Sequence, residues 1–173
     1  MNKNSFFITG TDTGVGKTVV SAIVAKKYNA HYYKPIQCGL NKNGFKDSDV
    51  VLNIFKDISV IKETYFFKNP LSPNIAAKKE NVKIEISKFV KIDKINYPIV
   101  IEGAGGLQVP VDDKILMSDF YSQFFEFWKD IKNIQISIQF LTGVHSRTHY
   151  LNRHASLCQN FCHSKRQRDT SFI

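Results

Sequence analysis

The chain has 173 residues, 43% of them hydrophobic and 23% charged, enough for one domain with a sizeable buried core. No apolar run approaches the ~20 residues that cross a bilayer, and a lone Lys3 ahead of a glycine-rich segment is not a secretory leader. Three cysteines form no disulfide framework and suit a reducing cytoplasm, while the net charge of +9 comes without the basic, aromatic-interleaved stripe of a nucleic-acid binder.

An apolar strand beginning at Ser5 runs into the turn Gly10-Thr-Asp-Thr-Gly-Val-Gly-Lys-Thr18, and an apolar helix follows from Lys17 to about Lys27. His31 to Ile36 reads as a second short strand, stopped by Pro35. The polar loop Asn41 to Ser48 leads to a helix capped by Ser48-Asp49 and running through about Phe55. Asn69 to Asn74 is a proline-punctuated loop entering Ile75-Ala76-Ala77, and Ile84 to Phe89 is read as helical. Tyr97 to Ile101 is an unbroken apolar strand, buried on both faces, that ends in Glu102-Gly-Ala-Gly-Gly106. Met117 to Ile131 is an aromatic-rich helix, and Ile134 to Phe140 alternates like a strand. Strands separated by helices predict an α/β fold, a mostly parallel sheet flanked by helices. In such sheets ligands sit beyond the carboxyl ends of the strands, here after Ile8, Tyr33 and Ile101.

The glycine turn predicts a triphosphate cradle. Its glycines let successive N–H groups point at phosphate oxygens, Lys17 adds charge beside the β and γ phosphates, and the Thr18 hydroxyl suits Mg²⁺. Glu102 leaves a buried strand into small residues that admit a nucleotide, so it is the expected second-strand acid for the metal. Asp49 fits either an ordinary helix cap or a second carboxylate at the metal, and spacing alone favours the cap. By pattern alone, Lys34 is a surface lysine.

Five segments taken together change that. The turn Gly10–Thr18, Tyr33-Lys-Pro-Ile-Gln-Cys-Gly39, Ser48-Asp49, Ser72-Pro-Asn-Ile-Ala-Ala77 and Ile101-Glu-Gly-Ala-Gly-Gly-Leu-Gln-Val-Pro-Val111 occur in the order seen in dethiobiotin synthetases, and each resembles that family's signature. The resemblance implies a P-loop α/β domain, usually a homodimer. It also implies closure of the ureido ring of dethiobiotin from 7,8-diaminopelargonate, CO₂ and ATP with Mg²⁺. On that basis Lys34 is the active-site lysine, with Lys17 beside it, and Thr18, Asp49 and Glu102 are metal ligands. Gly14, Val15, Gly16, Lys17, Thr18 and Val19, with Glu102, Gly103, Ala104 and Gly105, match the nucleotide contacts. Cys38 stands where the family has a small hydroxyl residue touching substrate, and Thr13 faces the substrate too. A regulatory ATPase of the Min/Par type shares the loop and the fold, but Lys34-Pro35 and the Glu-Gly-Ala-Gly-Gly run argue against it. An inactive truncated product is the remaining alternative.

Composition breaks near residue 142. Up to there the chain holds 19 lysines and no arginine, whereas 143–173 hold four arginines, one lysine and four of the five histidines. The reading is therefore a P-loop domain over 1–142, its sheet incomplete at the C-terminus, and an aberrant tail over 143–173 that is not natively folded. The family's adenine contacts and dimer surface would be impaired with it. His154-x₃-Cys158-x₃-Cys162-His163 has the spacing of a Zn²⁺ site, but the compositional break favours a change of reading frame. Residues 143–150 can be encoded so that the frame two bases over opens Gly-Thr-Leu, similar to the turn the family carries there.

Overall fold

The computed structural model describes residues 5–89, 98–120 and 134–138. Strand β1 (Ser5–Gly10) lies inside the main sheet, between β6 (Ile99–Glu102) and β7 (Ile134–Ile138). Beyond β6 come β2 (His31–Tyr33) and β4 (Val60–Ile61), giving the order β4-β2-β6-β1-β7 with every pairing parallel. Such a sheet needs crossovers, and helix α1 (Lys17–Tyr28) provides the one from β1 to β2. Ile8 lies opposite Glu102 and Tyr33 opposite Ile101, so the carboxyl ends of β1, β2 and β6 are level.

Alternation along the strands separates two cores. Phe6, Ile8, Tyr32 and Val100 face Ala22, Val24 and Ala25 of α1 and Val51 of α2 (Asp47–Ile54). Phe7, Tyr33, Ile99 and Ile101 face the other way, toward Ala76 and Ala77 of α3 (Pro73–Lys79), Phe89, Met117 and Phe120. Strand pairs of this kind are buried on both sides, which is why their sequences read as unbroken apolar runs. Phe89 and Phe120 meet edge to face at 4.8 Å.

The segment expected to be one strand over His31–Ile36 is two. Pro35 has no N–H for the ladder, and its carbonyl instead accepts from the Thr64 and Tyr65 N–H groups. The chain turns at Lys34-Pro35 and starts β3 (Ile36–Cys38), which pairs in parallel with β5 (Tyr65–Phe67) as a separate two-stranded sheet. Strands β4 and β5, of two and three residues, are too short to leave a periodic signal and were not expected. Ile84–Phe89, expected to be helical, holds only a 3₁₀ turn at Ile86–Lys88, with Ile84 and Phe89 buried. The expected helix from Met117 is present over 117–120 and its remainder lies outside the described residues, as do the 143–173 tail and its His/Cys cluster. Among the described residues no helix is long and apolar enough to cross a membrane.

Candidate active site

The glycine turn leaves β1 and enters α1 through Gly16, whose φ of 91° is left-handed and accessible to glycine. No side chain caps that helix end, and its first turn holds no acidic residue. Its free N–H groups and positive dipole end therefore face the loop interior, an arrangement suited to an anion. Gly14 is also left-handed, at φ 70°. Asp12 shapes the outer edge of the turn by accepting the Thr13 N–H at 2.6 Å. Val15 is half-buried in the turn, and Thr13 and Val19 are exposed on its rim. Lys17 is only 6% exposed and folds back to donate to the Asp12 carbonyl at 2.5 Å. Burial depresses its pKa and the nearby charge of Lys34 adds to that, more than Glu102, Asp47 and Asp12 restore.

Glu102 closes β6 and is 1% exposed. Three donors hold its carboxylate. The Thr18 hydroxyl donates to Oε1 at 2.9 Å, the Lys34 ammonium to the same oxygen at 3.2 Å, and the Tyr32 hydroxyl to Oε2 at 2.9 Å. Lys34, itself 6% exposed, also pairs with Asp47. Burial alone would lower the Lys34 pKa, but the Glu102 and Asp47 carboxylates outweigh it and raise the value. The ammonium is thus firmly charged. Burial likewise pushes the Tyr32 phenol well up, and the Glu102 charge pushes it further, so the hydroxyl keeps its proton.

The loop after Glu102 lies directly on the phosphate turn. The Gly103 N–H donates to the Ile8 carbonyl at 3.0 Å, and Ala104 is buried. Gly105 takes φ 68°, with Val109 packed where its side chain would be. A Cβ on Gly106 would stand 2.6 Å from the Thr11 carbonyl oxygen. Only glycine allows the two loops this contact.

Lys17, Thr18, Lys34 and Glu102, expected together, are together. Asp49 caps α2, its carboxylate accepting the Lys46 N–H through Oδ2 at 2.9 Å, while Asp47, two residues earlier, reaches Lys34. Ser48 is not the N-cap, because Lys46 holds that position and the Ser48 hydroxyl donates to buried Glu63 at 2.5 Å. Cys38 ends β3 half-buried, and burial pushes its thiol up to about 12. Tyr32, Asp47 and Gly106 were missed. Tyr32 lies opposite Val100 in the register, on the face that Glu102 also shares, but that parity shows only once the strands are paired.

The AAA domain family matches residues 4–124. The chain belongs to that family. It is 40% identical over 119 residues to an ATP-dependent dethiobiotin synthetase BioD of Agrobacterium fabrum, covering 68% of this chain and 55% of the relative. A protein of the same name from Christiangramia forsetii is 44% identical over 125 residues, covering 69% and 57%. One from Novosphingobium aromaticivorans is 36% identical over 147 residues, covering 85% and 66%. The chain thus spans somewhat over half the length of these curated relatives. The AAA domain match includes the phosphate turn, Lys34, α2 and the Glu102 loop, all the elements that meet at the site.

Proposed function

We propose that the chain carries the phosphoryl-transfer centre of an ATP-dependent dethiobiotin synthetase, a cyclo-ligase of biotin synthesis acting on 7,8-diaminopelargonate and CO₂. One observation carries the proposal: Lys34 and Thr18 converge on a single oxygen of buried Glu102, beside a phosphate turn whose lysine, among the described residues, meets no carboxylate at hydrogen-bond range. A generic phosphate loop needs no second lysine there; a second anion, the carbamate of a substrate amine, does.

The site suits Mg²⁺. Its donors, Glu102 and the Thr18 hydroxyl, are hard oxygens, and a cation, the Lys34 ammonium, already lies on the carboxylate. An ion here would be held by one or two carboxylates and by phosphate oxygens. Asp49 accepts the Lys46 N–H through Oδ2, which leaves Oδ1 for the ion. The ion would neutralise charge on the β and γ phosphates.

The chain's own groups do the rest. The N–H groups of Gly14 to Val19 and the end of α1 hold the phosphates, and Lys17 leaves the Asp12 carbonyl to meet the γ phosphate. Lys34 lies between the carbamate and that phosphate, its charge fixed by Glu102 and Asp47. A carbamate oxygen displaces ADP at the γ phosphorus, giving a mixed anhydride. The second amine attacks the anhydride's carbonyl carbon, phosphate leaves with the bridging oxygen, and the lost amine protons pass to solvent. Thr13 and Cys38 would line the substrate side, where a thiol donates more weakly than a hydroxyl. The family resemblance further proposes a cytoplasmic homodimer. Phosphate release with and without the diamine and bicarbonate tests the reading. Release that requires both supports it; equal release without the diamine, as for a regulatory ATPase, or none at all, defeats it.

A further inference from the structure

We propose that Tyr32 is a positioning residue for Glu102, tying down one carboxylate oxygen so that the other keeps facing the metal. The inference rests on the reading of Glu102 as a metal-binding carboxylate. Tyr32 is fully buried, its ring held among Phe6, Ile8 and Val51 on the α1 face of the sheet. A hydroxyl taken into such an apolar cluster is costly unless it is paired, and phenylalanine would fill the same volume without that cost. Here the hydroxyl ends 2.9 Å from Glu102 Oε2.

The two oxygens of Glu102 therefore have separate duties. Oε2 is committed to a neutral donor from inside the core that no ligand can displace. Oε1 meets the Thr18 hydroxyl, the other oxygen donor for the ion, and the Lys34 ammonium, a cation that can give up its place to a metal ion. The terminal torsion of a glutamate is broad, so a carboxylate with one free oxygen can swing. Removing the phenol hydroxyl leaves Oε2 buried without that donor and lets Oε1 lose its aim. Partners that orient metal-binding carboxylates in this way typically change metal affinity about 10- to 100-fold when removed.

The test compares wild type with Tyr32→Phe, which keeps the ring. Mn²⁺ binding to each protein's complex with a non-hydrolysable ATP analogue is measured by electron paramagnetic resonance, and ATP affinity is measured in EDTA. We expect Mn²⁺ affinity to fall about 10-fold or more while metal-free ATP affinity stays within about twofold. In a Glu102→Gln background, adding Tyr32→Phe should change Mn²⁺ affinity no further. Equal Mn²⁺ affinity in wild type and Tyr32→Phe overturns the role of Tyr32 and leaves the metal reading standing. A parallel loss of metal-free ATP affinity makes Tyr32 merely structural, which also overturns it. A wild-type complex that binds no Mn²⁺ overturns the metal reading and the inference together.

Discussion

Gly106→Ala is predicted to damage the nucleotide site without touching a reacting atom. The new Cβ would stand 2.6 Å from the Thr11 oxygen, 3.0 Å from the Thr11 carbonyl carbon and 3.2 Å from the Gly10 oxygen. All three are backbone atoms of the phosphate turn, so no side chain can rotate away. The Glu102 loop cannot easily withdraw either, since Gly103 is bonded to Ile8, Val109 to the Gly106 carbonyl and Ser118 to Leu107. Overpacking of this kind costs about 1–3 kcal/mol. If the phosphate turn yields, ATP–Mg²⁺ affinity falls about 5- to 150-fold, since each 1.4 kcal/mol is about tenfold. Calorimetric titration reads that loss, and thermal unfolding reads the stability term as a drop of roughly 2–12 °C. Gly44→Ala is the control: Gly44 has φ 78° but nothing within 4 Å of its virtual Cβ, so it should lose stability and keep its ATP affinity. Wild-type affinity and melting temperature in Gly106→Ala would refute the close approach of the two loops.

On the proposed reaction, Lys34→Met should cut diamine-dependent phosphate release by about 100-fold or more, because it removes the charge proposed to lie between the two anions. Glu63 is held in the folded protein below its ordinary 4.5: burial pushes it up, but the Ser48 hydroxyl, a backbone hydrogen bond and Lys46 outweigh that. Its ionised form is therefore favoured on folding. The stability it adds is full above about pH 4.5 and is lost as pH falls through the lower folded value, so Glu63→Gln should flatten the acid limb of urea-unfolding curves. The Cys38 thiol, raised to about 12 by burial, should resist iodoacetamide at pH near 8 until urea is added, as followed by peptide mass spectrometry.

The parallel sheet was legible in the sequence because β1 and β6 are buried on both faces and read as apolar runs, with their motifs at the carboxyl ends. The phosphate turn was legible for a different reason: its glycines are forced by backbone geometry at Gly14 and Gly16. Short elements were not: β4 and β5 are set by pairing with distant strands, and the Ile84–Phe89 segment buries two residues without completing a helix. At the site, local spacing marked Asp49 as a capping carboxylate but put the cap position itself at Ser48-Asp49, because that position depends on where α2 starts. That start is set by Lys46 and by the buried contact of Ser48 with Glu63, fifteen residues away. Tyr32 and Gly106 belong to contacts between segments distant in sequence, Tyr32 with Glu102 and Gly106 with Thr11. No short window of sequence contains either.

On the proposed reaction, the γ-phosphoryl group passes to a substrate carbamate rather than to water. Oxygen tracing tests it most directly: the reaction is run briefly with ¹⁸O-labelled bicarbonate, before exchange with solvent, and the released phosphate is weighed by mass spectrometry. Transfer to the carbamate gives one heavy oxygen per phosphate, carried over as the bridging atom of the anhydride, and only when the diamine is present. Unlabelled phosphate, released at the same rate without the diamine, would contradict it.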